Sequence, residues 1–266
     1  MKSFLRIIDA SKECVPIEAA LKKNPTLKHY LISNDPPRLD LGSPRALQEY
    51  NNTILKIKTG LQLTLSEDFL IPSVCLRLIF LEAILKKSLR VLEIGIGASA
   101  VMGMITARNF NCNVVGTETN LEAIDIANRN IIQNDLSDKV KVIDSKGQIL
   151  EGLPPSLGSF DLIFSYPPQY SYLEGEKFTT HQRGFRGVVS ELGWGAKGTS
   201  FASRLIQEAS HTLFLKKSGK LALLILNENL LQEVLTSMES YGFHYNSIKI
   251  HAGTRQRFIA IGEKHD

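Results

Sequence analysis

The sequence predicts an α/β fold: a mostly parallel sheet of seven strands covered by helices, preceded by a small helical extension. Three patterns predict it. From Leu89 onward, short apolar runs alternate with helix-length stretches, as strands joined by crossover helices do. The last two apolar runs have no helix-length segment between them, which makes them an antiparallel hairpin. Before Leu89 the chain reads as helices and loops.

In order, Ile17 to Lys23 is a short helical run stopped near Asn24-Pro25, and Pro36-Pro37 then breaks the chain. Ser43 is an N-cap with Pro44 at the first helical position, opening a helix that carries Leu47 and Ile54 on one face. The helix after Pro72 is apolar nearly all round, so it packs deeply against the rest. Strands are predicted at 90–96, 113–118, 140–145, 161–166, 220–226, 244–251 and 257–263, with helices over 98–109, 121–134, 199–214 and 228–241. Seven strands with that ending form the architecture of class I methyltransferases, a Rossmann-like fold. Residues 1–88 are thus expected to be a helical extension packed on the core and 89–266 a domain that resembles the class I methyltransferase architecture. Within the latter, residues 171–198 are Gly-rich and polar without firm periodicity. A connection of that length leaving the carboxyl end of a strand reads as a substrate loop.

The composition is that of a soluble globular chain, with 43% hydrophobic and 22% charged residues. Charge is uneven: residues 1–90 hold 14 Lys+Arg against 9 Asp+Glu, and residues 91–266 hold 17 against 18. The basic excess makes the extension a candidate contact for a polyanion. Cys14, Cys75 and Cys112 form no CxxC pair and have no nearby histidines. Neither a metal site nor a disulfide framework is expected, and a reducing, cytoplasmic setting fits. The first residues lack a signal-peptide profile, and no apolar run reaches membrane-spanning length.

The cofactor chemistry begins at VLEIGIGASAVMG, a strand followed by Gly95-x-Gly97 and a helix start. Glycines let a backbone turn tightly and approach a ligand closely, although ligand-free turns use them too. Glu93, two residues earlier, lies where an acid holds the ammonium group of S-adenosyl-L-methionine. Glu118 ends the next strand, where an acid accepts hydrogen bonds from ribose hydroxyls. A dinucleotide site would prefer GxGxxG, yet the last of those positions is Ala100, and no arginine stands beside Glu118. Both points favour S-adenosyl-L-methionine over NAD. Asp144, ending the third strand, is either the partner of the adenine amino group or a simple turn cap.

Within DLIFSYPPQY, a strand runs into two prolines, as in the catalytic loops of amino-group methyltransferases. With the glycine turn and the strand-ending acid in the same order, the chain resembles the RlmF type of adenine-N6 RNA methyltransferase. That family modifies bacterial large-subunit ribosomal RNA and has a eukaryotic relative acting on small nuclear and messenger RNA. The resemblance covers about residues 33–262. PRLDLGSPRAL, IPSVCLRLIFLEAIL, LEIGIGASAV, TETN, NIIQNDLSDKVKV and GTRQRFIAI each resemble a family segment. It implies that Arg77 lies near the cofactor's methionine carboxylate, that Gly95, Gly97 and Ser99 form the cofactor turn, and that Glu118 is the ribose acid. The family's NPPF loop falls on Tyr166-Pro167-Pro168-Gln169, so the asparagine is absent and the aromatic is one place late. The cysteine of the family's turn is replaced by Ala100.

In such loops a side-chain oxygen and a proline carbonyl accept hydrogen bonds from the amine protons, and an aromatic stacks on the flipped base. Here carbonyls of Tyr166 and Pro167 can accept, and Ser165 or Gln169 can supply the side-chain oxygen. Tyr166 or Tyr170 can stack, and Pro168 stiffens the turn. Arg183, Arg186, Trp194 and Arg255 are candidate substrate contacts, and Lys56, Lys58, Lys86, Lys87 and Arg257 are further basic candidates for RNA phosphates. The expected activity is methyl transfer to adenine-N6 of a ribosomal or other structured RNA. The altered loop keeps two alternatives open: a protein-glutamine or small-molecule methyltransferase, and a non-catalytic RNA-binding protein of this fold.

Overall fold

The computed structural model describes residues 5–66, 68–178 and 188–264. The extension opens with strand β1 (Arg6–Asp9), helices α1 (Ala10–Glu13) and α2 (Ile17–Lys23), and the hairpin β2 (Leu31–Asn34) and β3 (Pro37–Leu39). Helices α3 (Pro44–Thr59) and α4 (Val74–Ile84) follow. The core continues with β4 (Arg90–Ile94), α5 (Val101–Phe110), β5 (Asn113–Glu118), α6 (Leu121–Gln133), β6 (Val140–Asp144) and β7 (Phe160–Ser165). After β7 come α7 (Tyr172–Phe178) and α8 (Val189–Leu192), then α9 (Ser200–His211), β8 (Leu215–Ile225), α10 (Glu228–Ser240), β9 (Phe243–Ala252) and β10 (Arg255–Lys264).

All seven predicted strands are present, and the sheet has an eighth. The order is β1-β9-β10-β8-β7-β4-β5-β6, with β10 antiparallel to both neighbours and β4, β5, β6, β7 and β8 parallel. The added strand is β1, which pairs parallel with β9 from Arg6↔Ile248 to Asp9↔His251. The extension is therefore not purely helical. RIID is too short to carry a strand period, so nothing local announced the pairing. The segment 171–198, expected as a loop, contains the short helices α7 and α8.

Local chemistry accounts for the element ends. The Ser43 hydroxyl accepts from the Ala46 amide, Pro44 opens α3, and Gly60 closes it in the left-handed region. Asn120 caps α6 by accepting from Glu122 and Ala123, and Asn227 caps α10 by accepting from Leu230. β4 is buried from Val91 to Ile94, as a central parallel strand covered on both faces must be.

One hydrophobic cluster runs through extension and sheet together, joining Leu27, Ile54, Leu55 and Phe80 to Met104, Leu162, Phe164 and Ile259. Phe80 of α4 meets Phe164 of β7 edge-on, with ring centroids 5.9 Å apart. The extension thus lies against the strand that leads into the proline loop. Cys14 and Cys75 are joined as a disulfide with Cα atoms 5.5 Å apart, which corrects the expectation of unpaired cysteines. A pairing 61 residues apart has no local spacing signature.

Candidate active site

The site forms where the strand order reverses. The chain passes from β4 to β5 and β6 on one side, then crosses to β7 on the other, and such a switch point opens a crevice at the strand ends. β4 and β7 run in register, with Ile94 beside Ser165, so the glycine turn and the proline loop leave the sheet side by side.

On the β4 side, Gly95 and Gly97 hold φ of 73° and 66°, and a Cβ added at either would meet nothing within 4 Å. Their backbone edges face open space, in a conformation that L side chains rarely take. The Glu118 carboxylate organises the turn: one oxygen accepts from the Gly97 amide at 3.1 Å, the other from Thr119 and Asn120 at 2.8 and 3.0 Å. Ser99 accepts from the Val101 amide at 3.3 Å, and Ala100, in the left-handed region, opens α5 without a side-chain cap. The Asp144 side chain is exposed and accepts from the Lys146 amide at 2.8 Å. That is the turn-cap geometry, with the second carboxylate oxygen left over.

Glu93 is buried beneath the turn at 1% exposure, and its Oε2 has no hydrogen-bond partner among the described residues. Burial pushes its carboxyl well above the ordinary range; the Arg77 charge and an amide of Gly103 pull it down, and Glu118 pushes it up. Arg77, from α4, has its guanidinium 5.2 Å from the centre of the Tyr166 ring and donates to the Ser73 carbonyl at 3.3 Å. Arg77 therefore spans the two halves of the site, reaching from the acids of the turn to the proline loop.

The β7 side is tied down. The Ser165 hydroxyl is buried and donates to the Ile94 carbonyl at 2.8 Å, so it stitches β7 to β4. That bond uses the hydroxyl hydrogen, and the oxygen keeps its acceptor lone pairs. Gln169 is 5% exposed; its amide nitrogen donates to the carbonyls of Leu224 (2.9 Å) and Pro167 (3.3 Å), and its oxygen accepts from the Leu226 amide (2.7 Å). Every polar atom of that side chain is engaged, so the expected substrate contact gives way to a structural one. Tyr166 and Tyr170 are half-buried and near each other, and Arg255 and Arg257 bear on the Tyr170 phenol. Arg255 is exposed, whereas Arg257 donates to the Leu226 carbonyl at 3.1 Å. Trp194, 39% exposed, meets Phe201 edge-on at 5.7 Å. Arg183 and Arg186 lie outside the described residues.

Two contributions went unread in the sequence. Asn130 in α6 and Asn134 at its C-cap, one turn apart, pair with the backbone of Thr64 and Gln62 through donor and acceptor atoms at 2.7–2.9 Å. They seat the segment after α3 against the glycine turn, where Asn130 also reaches the Ala98 carbonyl at 3.3 Å. Two buried asparagines at i and i+4 in a helix were the available signal. Glu191 of α8 accepts from the amides of Leu70 (3.1 Å) and Val188 (3.2 Å), which joins the segment 188–192 to the extension. Burial raises its carboxyl to about 7, the two amide donors and Arg77 lower it, and Glu118 raises it.

A separate open cavity of about 390 Å³ lies between α2, α3 and residues 61–64, lined by Lys23, Glu49, Asn52 and Lys56 among others. It contains none of the strand-end residues, and Asn24 there is already bonded to Glu49 and Thr53. No group of three or more His, Cys, Asp or Glu among the described residues is arranged to hold a metal. Nor is any helix among them long and apolar enough to cross a membrane.

A switch-point crevice flanked by a glycine turn and a proline loop, in a sheet whose β10 alone runs reversed between β8 and β9, defines a class I methyltransferase. Comparison with known proteins narrows this. Residues 11–191 match the RNA methyltransferase family, and the chain belongs to that family. A protein of Methanocaldococcus jannaschii named as a methyltransferase is 34% identical over 263 residues, which span 93% of this chain and 98% of that one. Ribosomal RNA large subunit methyltransferase F of Christiangramia forsetii is 20% identical over 276 residues, covering 94% and 96% of the two chains. Among solved structures, a methyltransferase from Pyrococcus furiosus shares 30% identity with a TM-score of 0.68, over 84% of this chain and 98% of that one. The human METTL16 catalytic domain, in complex with an RNA hairpin, superposes with a TM-score of 0.79 over 94% and 91% of the chains at 20% identity, a likeness of fold.

Proposed function

We propose that this RNA methyltransferase uses S-adenosyl-L-methionine to methylate the exocyclic N6 of an adenine in a structured RNA, ribosomal RNA foremost. The observation that carries the reading is the in-register adjacency of Ile94 and Ser165, which puts the open glycine turn and the proline loop over one crevice. The side chains fit the cofactor. Glu93 keeps a buried oxygen without a partner beside Arg77, a donor and acceptor set suited to a ligand that carries both an ammonium and a carboxylate. Glu118, already held by three amides, is aimed for ribose hydroxyls, and the spare oxygen of Asp144 suits an adenine amino group. When bound, the cofactor supplies an electrophilic methyl group on its sulfonium.

This chain's own part is to hold the amine. Gln169 has every polar atom of its side chain engaged and the Ser165 hydroxyl is buried against β4, so we assign the carbonyls of Tyr166 and Pro167 as acceptors for the two amine protons. Accepting those protons localises the nitrogen lone pair for attack, and no strong base is required, because the product sheds its proton to water. Tyr166 or Tyr170 offers the stacking face for a flipped base, with Trp194 and Arg255 at the rim for neighbouring nucleotides. The relatives support this reading: one is ribosomal RNA large subunit methyltransferase F, and another, from Schizosaccharomyces pombe, is a U6 small nuclear RNA adenine-N6-methyltransferase, 26% identical over 189 residues. With RNA as the substrate, we assign the enzyme to the cytoplasm. Mass spectrometry of ribosomal RNA nucleosides from a strain lacking the gene tests the reading. N6-methyladenosine is expected to fall at one site; unchanged N6-methyladenosine with loss of another modified base would overturn it.

A further inference from the structure

We infer that Gln169 is a positioning residue that sets the aim of the Pro167 carbonyl, doing by a buried side-chain clamp what the loop's missing asparagine leaves undone. The inference rests on the proposed methyl transfer to an amine. The Gln169 amide lies between three backbone groups: it donates to Pro167 and Leu224 and accepts from Leu226. Leu226 is fixed from its other side as well, since its carbonyl accepts from Arg257 at 3.1 Å. The proline turn is thereby tied to the end of β8, and β8 in turn to the hairpin strand β10.

The backbone of Gln169 is held just as firmly. The amides of Gln169 and Tyr170 donate to the Leu192 carbonyl at 3.1 and 3.0 Å, and Trp194 donates back to Tyr170 at 3.1 Å. A Cβ at Gly198 would stand 2.5 Å from the Gln169 carbonyl, and one at Gly193 would stand 2.5 Å from that of Ser171. Only glycine admits such close approach, so the segment 193–198 presses on the loop from behind. An acceptor carbonyl held this way keeps its direction through the transfer, and a displaced one loses alignment with the reacting nitrogen.

Three measurements test the clamp, with labelled S-adenosyl-L-methionine and ribosomal RNA purified from cells lacking the gene. Gln169→Leu keeps the volume and removes all three bonds; kcat is expected to fall about tenfold to a hundredfold, with cofactor affinity by calorimetry within about twofold of wild type. A kcat within about twofold of wild type overturns the inference, as does an equal loss of kcat and cofactor affinity, which would mark a merely structural residue. Gln169→Glu restores donor and acceptor together only when protonated, so its kcat relative to wild type is expected to rise as pH falls from about 8 to about 6. A flat ratio counts against the clamp. Amide exchange needs no RNA: Gln169→Leu is expected to speed exchange at Leu226 and Tyr170 and leave Gly97 unchanged, and unaltered protection overturns the clamp. Should wild type itself transfer no methyl group to this RNA, the proposed substrate falls, and the exchange result still decides the clamp.

Discussion

The turn after β4 and the loop after β7 leave neighbouring strands in register, yet they keep their shapes by opposite means. The turn is held by what is near in sequence and space: glycines at positive φ, and a carboxylate at the end of the next strand. The loop has no glycine between Ser165 and Tyr170, and it is held by groups far along the chain, Leu192, Leu224 and Leu226. A site that approaches its ligand with backbone needs local freedom. A site that aims carbonyls needs fixation, and here the fixation comes from the sheet end and the segment beyond.

The largest effect should come from removing what the loop stands on. Phe164 is fully buried against Phe80, and Phe164→Ala is expected to lower stability by about 3–5 kcal/mol in denaturant unfolding. Loss of methyl transfer should accompany it even under conditions where the variant stays folded; full activity there would show that the loop does not depend on its strand. On the turn side, Glu118→Ala removes the acceptor for three amides and the proposed ribose contact. Calorimetry is expected to show S-adenosyl-L-methionine binding weakened by about 1–3 kcal/mol, and an unchanged affinity would remove that assignment.

The smallest effect concerns Glu191, which joins the segment 188–192 to the extension. The Glu191 carboxyl is raised from 4.5 to about 7, so the folded chain binds this proton more tightly than the unfolded one. Its contribution to stability is full below about pH 4.5 and is lost as pH rises through about 7. Between about pH 5 and about pH 8, wild type is expected to lose about 1 kcal/mol relative to Glu191→Gln, a figure reduced for partial solvent screening. Identical pH profiles of the two proteins in thermal unfolding would show that the carboxyl titrates normally. Glu118 and Arg77 face the same group with opposite effect, so Glu118→Ala should move that window downward.

What was legible follows the same division. The strands, most helices, Gly95, Gly97 and Glu118 announce themselves through periodicity and spacing within about 25 residues, the range over which local patterns act. The bonds of Ser165 and Gln169 were not legible because each is decided by a distant partner, Ile94 on β4 for one and Leu224 and Leu226 at the end of β8 for the other. A glutamine at that place reads as polar and outward. Its burial depends on the end of β8, some 55 residues later, being there to satisfy it. Strand β1 was missed for the same reason, since its partner lies near the other end of the domain.

That strand also bears on how the molecule is made. Ile7 within it and Leu5 just before it expose apolar side chains, and its hydrogen-bonding edge has no mate until Ile248–His251 exist. At a synthesis rate of about 5–20 residues per second, the first strand waits roughly 12 to 50 s on the ribosome before it can be paired. Strand β1 is thus among the last to be paired, and until β9 exists its backbone groups have no partner in the sheet.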